Sequence, residues 1–304
     1  MQSQRTFLFT GSKLWIGSKP IMFLHKASTP LSPIACSKRE FLSKPEDRLN
    51  ISVFEICNLT KFYSKISQPA VENLNLTIRD GEIFGFAGLN GAGKTTTIRI
   101  SAGVLYPTSG TVLIDGKDIV TEKIDASYNI GWIPESPSFE PGAKPLSLMK
   151  YFGGFYGMKT SESMKRGKEL LELVKLDGEL DKKFRNYSQG MKKRFALAAA
   201  MLSDPGNYLF DETSTGLDPD GIRFVRNLLL DLKRKGKAIL VSSHILDELE
   251  NVCDKVAIIN RGKLIEVVDR ERIWSMTVRG TRLEDHFLEL IDKPSQLGHS
   301  IERT

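Results

Sequence analysis

The sequence predicts an α/β fold in three parts: a parallel core sheet, an antiparallel β subdomain, and an inserted helical subdomain. Three observations predict it. Apolar runs with turns between them fill the segment from Ile51 to Ile114, helical spacing takes over from Leu146 to Leu176, and beyond Asn207 apolar strands alternate with a helix.

The elements follow in order. "SVFEICNLTKFY" and "NLNLTIRDGEIFGFAG" read as strands, with Arg79-Asp80-Gly81 as a turn between apolar runs, and "TVLI" is a further strand closed by Asp115-Gly116. These early strands are expected to form an antiparallel sheet. Leu170, Leu171 and Val174 then recur at helical spacing with few strand formers around them, giving the helical subdomain at about 146–200. "YLF" before Asp211 and "AILVSSH" at 238–244 flank a helical stretch from Ile222 to Lys235, which implies a parallel core. "KVAIINRGKLIEVV" reads as a hairpin turning at Arg261-Gly262. The main domain is therefore expected at 51–270, with a short helical tail at 271–304. The first 50 residues, rich in Ser, Lys and Pro, have no acid before Glu40 and are expected to be a disordered extension or otherwise outside the fold.

Composition sets the outer bounds. With 304 residues and 40% hydrophobic content the chain has enough apolar material for a sizeable core. The longest apolar run, Phe195 to Leu202, falls far short of the roughly 20 residues needed to span a bilayer. Cys36, Cys57 and Cys253 form no close pair and no metal-ligand spacing, which argues against a zinc site or a disulfide framework. The formal charge of +6 is a weak signal for anionic partners, because much of the excess lies in the first 40 residues. The basic runs "MKKR" and "KRKGK" read as solvated faces.

Chemistry enters at "GLNGAGKTT", which satisfies the phosphate-loop pattern and stands between an apolar run and a helical one. Gly88, Gly91 and Gly93 allow backbone N–H groups to converge on phosphate oxygens, Lys94 adds a positive charge, and Thr95 offers a hydroxyl to Mg²⁺. The whole run, with Asn90, Ala92 and Thr96, is assigned to nucleotide binding within a P-loop NTPase core. "NYLFDETSTGLDPDG" then ends a short strand in Asp211 and Glu212. Asp211 suits the metal, and Glu212 suits a general base that polarises the attacking water, provided the strand end turns it toward the nucleotide. His244, ending "VSSH", is placed to contact the γ-phosphate or orient that water.

Taken together, these motifs resemble the ATP-binding cassette family, the ATPase subunits of ABC transporters, over about Ile51 to Val268. The resemblance implies further roles. Tyr63 would stack on adenine, with Phe62 as neighbouring competitor. Glu135, in "IGWIPESP", stands where many members carry the Q-loop glutamine, and would lie near the nucleotide and the metal as a second carboxylate. Ser188 and Gly190, in "YSQGMKKR", would meet the γ-phosphate of ATP held by a second ABC ATPase subunit, and Asp218 in "GLDP" would cross the same dimer interface. The Tyr-Ser-x-Gly-Met form is similar to exporters of the ABC-2 type. Thr213 replaces the proline that usually follows the catalytic glutamate, so some stiffness of that loop is expected to be lost.

The resemblance implies ATP and Mg²⁺ as ligands, integral membrane permease subunits as partners, and a cytoplasmic protein peripheral on the inner face of the cell membrane. No nucleic-acid partner is expected. An alternative is a soluble ATPase of the same family acting on DNA or ribosomes, although such proteins usually carry two cassettes or a long coiled coil, both lacking here. A P-loop GTPase or kinase is disfavoured by the order of motifs and by the lack of an Asn-Lys-x-Asp guanine motif after the P-loop.

Overall fold

The apolar runs sort into sheets according to whether one face or both faces are apolar. The computed structural model describes residues 9–10, 13–16, 19–21, 53–64 and 68–292. The short strands β1 (Phe9–Thr10), β2 (Lys13–Ile16) and β3 (Lys19–Ile21) pair with one another. The expectation of a disordered extension otherwise falls outside the described residues.

β4 (Val53–Lys61), β5 (Val71–Arg79), β7 (Ser109–Ile114) and β8 (Lys117–Asp118) form an antiparallel sheet in the order β5-β4-β7-β8. In β5 the side chains alternate between buried and solvent-facing positions from Leu74 onward, the pattern of a half-buried antiparallel strand. β6 (Ile83–Ala87) is buried at every position and departs from the expectation. Although Asp80-Gly81 does make a turn after β5, β6 leaves the antiparallel group and enters the centre of a second sheet. A strand apolar on both faces loses more by facing water than it gains from a hairpin partner.

That second sheet runs β13-β12-β6-β11-β10-β9, with β9 (Ile130–Ile133), β10 (Asn207–Asp211) and β11 (Ala238–Ser243). The five strands from β12 (Lys255–Asn260) through β9 are parallel, and β13 (Lys263–Asp269) turns back on β12 through Arg261-Gly262. Alternation along the strands feeds two cores. Leu209 and Leu240 point toward α1 (Lys94–Ser101) and the antiparallel sheet, whereas Tyr208, Phe210, Ile239 and Val241 point toward the helical side.

α2 (Lys123–Tyr128) is a short helix that the sequence reading did not identify. The helical segment is built from α3 (Pro145–Phe155), α4 (Thr160–Leu173) and α5 (Gln189–Ala200). α6 (Pro219–Arg234) and α7 (Leu246–Val252) flank β11 on the same side of the sheet. α8 (Arg270–Val278) and α9 (Leu283–Asp292) close the chain, with Leu283 and Phe287 buried. Each contributes about 1.5–3 kcal/mol by leaving water. Cys253 is a buried free thiol and Cys57 is disulfide-bonded, so the reading of the cysteines as unpaired does not hold for Cys57. No helix among the described residues is long and apolar enough to cross a membrane.

Candidate nucleotide site

The site forms where the carboxyl ends of three parallel strands meet, the usual crevice for ligands in such sheets. β11 lies between β6 and β10, with Ala87 opposite Ser243 and Asp211 opposite Ser242. The loop 88–93 leaves β6 and enters α1 through Gly93, whose φ is 110°. A Cβ at Gly93 would stand 2.4 Å from the Ala70 carbonyl, and one at Gly88 2.6 Å from that of Ile259, so side chains are excluded at both places. No side chain caps α1. Its first N–H groups and the positive end of its dipole are therefore aimed at whatever enters the loop.

Lys94 is buried, and its Nζ donates to the carbonyls of Gly88 at 2.6 Å and Leu89 at 3.3 Å. The same ammonium lies 3.2 Å from Glu212 Oε1. Thr95 Oγ1 donates to Asp211 Oδ1 at 3.1 Å, and Ser242 Oγ donates to the same oxygen at 3.0 Å. Burial pushes the Asp211 carboxyl above the usual carboxylate range, the bonds from Ser242 and Thr95 draw it back in part, and the charge of Glu212 adds to the rise. A carboxylate so costly to ionise is one that a divalent cation would stabilise.

Adjacent acids on a strand should point to opposite faces, yet both reach the first turn of α1. Asp211 shares the face of Leu209, toward α1. Glu212 then adopts φ 46°, in the left-handed region, which breaks the alternation and brings its carboxylate to Lys94. The Glu212 N–H donates to Ser242, at 3.2 Å to the carbonyl and 3.1 Å to Oγ. His244 Nδ1 lies 3.0 Å from Glu212 Oε2 on the solvent side. Lys94, Thr95, Asp211, Glu212 and His244 thus form one connected cluster.

The remaining predicted residues stand around it. Tyr63 is exposed, its hydroxyl 3.2 Å from Thr96 Oγ1 and its ring 5.6 Å from the Lys61 ammonium. Phe62 is less exposed than Tyr63. Gly91 and Asn90 are exposed at the outer turn of the loop, and Ala92 is buried beneath it. Glu135 is exposed two residues beyond β9 and, among the described residues, makes no hydrogen bond or ion pair. Ser188 caps α5, its Oγ accepting from Met191 N at 3.2 Å. Asp218 caps α6, its Oδ1 accepting from Gly221 N at 2.8 Å. The start of α5 lies beside the loop that leads into α6, because a Cβ at Gly190 would lie 4.0 Å from Leu217 Cδ2.

Two participants were missed. Ser242 serves both acids, and its hydroxyl in "VSSH" was the available signal. Lys193 departs from the solvated face expected of "MKKR". It is 6% exposed, and its ammonium bonds to the loop after β10. Nothing in "MKKR" marks which lysine turns inward.

The profile of the family described as ABC transporter matches residues 71–215. An uncharacterized ABC transporter ATP-binding protein of Bacillus subtilis is 40% identical over 223 residues, covering 71% of this chain and 70% of its own length. The bacitracin transport ATP-binding protein of Bacillus licheniformis is 38% identical over 218 residues, covering 71% of this chain and 70% of its own. A Nod factor export ATP-binding protein of Cupriavidus metallidurans is 32% identical over 226 residues, with 72% and 74% covered. Among solved structures, an ATP-binding subunit of an ABC transporter superposes with a TM-score of 0.72 at 29% identity, over 79% of this chain and all (100%) of that one. The alternative of a soluble ATPase acting on DNA or ribosomes finds no support in these likenesses. A phosphate loop joined to an acid pair at the carboxyl ends of parallel strands, in a chain so related, places the protein in the family of ABC transporter ATP-binding proteins, the subunits that bind and hydrolyse ATP for a transporter.

Proposed function

We propose that this subunit powers export, working as one of a pair of ATPases beneath separately encoded permease subunits. The observation that carries the catalytic part is the connected cluster of Lys94, Thr95, Asp211, Glu212 and His244. In this reading the loop 88–93 and the α1 N-terminus take the phosphates, with Lys94 on the β- and γ-phosphates and Tyr63 against adenine. The oxygens of Thr95 and Asp211 fit Mg²⁺, which favours few protein ligands beside phosphate and water, and which when bound neutralises charge building on the phosphates. Glu212 accepts a proton from the attacking water, and His244 holds the Glu212 carboxylate in orientation.

Ser188, Gly190 and Asp218 would serve the partner subunit. The capped start of α5 offers N–H groups and a positive dipole end, which suits the γ-phosphate of a facing ATP. Glu135 is assigned to the edge of the same site. Glu135→Gln should leave the Mg²⁺ concentration for half-maximal hydrolysis unchanged within about twofold if the carboxylate stays off the metal. A rise of about tenfold or more in a Mg²⁺ titration would instead make it a ligand.

Docking to the permease is assigned to a cleft of about 630 Å³ beside the Glu135 loop. Tyr128, Trp132, Phe139, Phe152, Phe155 and Tyr156 line it, which gives an aromatic surface suited to an apolar helix end. Tyr128 and Phe155 are exposed there. The relatives named for bacitracin transport and Nod factor export support an exporter reading. Affinity purification from native membranes tests it: the chain should carry a polytopic protein with it, and Phe155→Asp should release that protein while ATP affinity stays within about twofold. Equal capture by the variant would remove the cleft from the interface.

A further inference from the structure

We infer that Lys193 is a positioning residue for ATP hydrolysis, tethering the loop that carries Glu212 to the first turns of α5. The inference rests on the reading of Glu212 as the general base. Lys193 Nζ donates to the carbonyls of Glu212 at 3.4 Å, Thr213 at 3.1 Å and Thr215 at a shorter distance. An ammonium has three N–H donors, and here all three have a carbonyl to meet. Burial draws the Lys193 ammonium below the usual lysine range, while the charges of Glu135, Glu212 and Glu248 act to keep its proton on. A charge buried at this depth is stable only if fully partnered, so the tether and the lysine depend on each other.

The loop has a reason to need holding. A non-glycine residue at φ 46° carries about 1–2 kcal/mol of strain, and such a conformation persists only where its surroundings over-determine it. At Glu212 every polar group is held. Its N–H is fixed by Ser242, its carboxylate by Lys94 and His244, and its carbonyl by Lys193. The next residue, Thr213, is buried, and its hydroxyl has no hydrogen-bond partner among the described residues. With no proline there to stiffen the turn, the Thr213 carbonyl bond to Lys193 supplies a restraint that the loop sequence lacks. The tether also runs between two functions, since Ser188 caps α5 and Lys193 lies little more than one turn further along.

The test is Lys193→Met in the full chain, with Lys193→Gln beside it. Methionine keeps the bulk and removes all three donors; glutamine keeps two and no charge. Because a displacement of about 1 Å at the reacting groups costs on the order of 100-fold, Lys193→Met should lower kcat by at least ~10-fold with KM and nucleotide Kd unchanged within ~2-fold. Lys193→Gln should fall between it and the wild type. A kcat in Lys193→Met within ~2-fold of wild type, or a loss of nucleotide affinity that accounts for the fall, overturns the inference. If Lys193→Met lacks a cooperative melting transition, Lys193→Gln decides, and a wild-type kcat in that folded variant overturns it equally. Failure of the base assignment is read separately, from Glu212→Gln hydrolysing ATP like the wild type.

Discussion

Glu212→Gln is expected to lower ATP hydrolysis by roughly two to four orders of magnitude, the range that general-base catalysis contributes, while ATP still binds. The amide keeps the shape of the side chain and loses the carboxylate that takes the proton. ATP affinity should not fall, because the carboxylate that now lies 3.2 Å from the Lys94 ammonium is a competitor of phosphate for the same charge. Single-turnover hydrolysis alongside equilibrium ATP binding separates the two effects. With hydrolysis blocked, ATP should also trap a dimer resolved by size exclusion. Hydrolysis at the wild-type rate would mean that another group takes the proton, and His244, 3.0 Å away, would be the first candidate.

Ser188→Arg, in the Glu212→Gln background, should abolish that ATP-trapped dimer and leave ATP binding to the monomer intact. Overpacking a fitted contact costs about 1–3 kcal/mol, and a symmetric dimer carries the substitution twice, so association should weaken by roughly 30-fold or more. The variant also removes the Ser188 cap on Met191 N, worth about 1 kcal/mol to α5. Ser188→Asp controls for this, since aspartate caps as well as serine but sets a negative charge against the proposed phosphate. Both variants should run as monomers with ATP. A dimer in Ser188→Asp would show that no anion meets this helix end, and loss of ATP binding in the monomer would show that Ser188 serves its own subunit.

The legible parts of the fold were those written locally. "GLNGAGKTT" needs glycine where an added Cβ would stand 2.4 Å from a carbonyl, and that need is visible in the sequence. The hairpin at Arg261-Gly262 and the cap at Ser188 are likewise local. β6 departs from the antiparallel expectation because the turn at Asp80-Gly81 is local, whereas the strand's place depends on β11 and β12, far along the chain. α2 has too few residues for its periodicity to rise above its surroundings.

By itself, the sequence determined the fold class, the order of the phosphate loop, the acid pair and the histidine, and the turns between them. Each of these is set by residue type at short spacing, through φ preference, hydrophobic period or charge. Only the tertiary structure decided that Glu212 turns back at φ 46° to join Asp211, that Ser242 serves both acids, and that Lys193 is buried against the loop rather than solvated. Those outcomes depend on bonds between residues about 20 to 30 positions apart in the chain, and no local preference of glutamate, serine or lysine encodes them. They arise when parallel strands and α5 pack, because buried polar groups must then find partners, and the nearest ones lie on other elements.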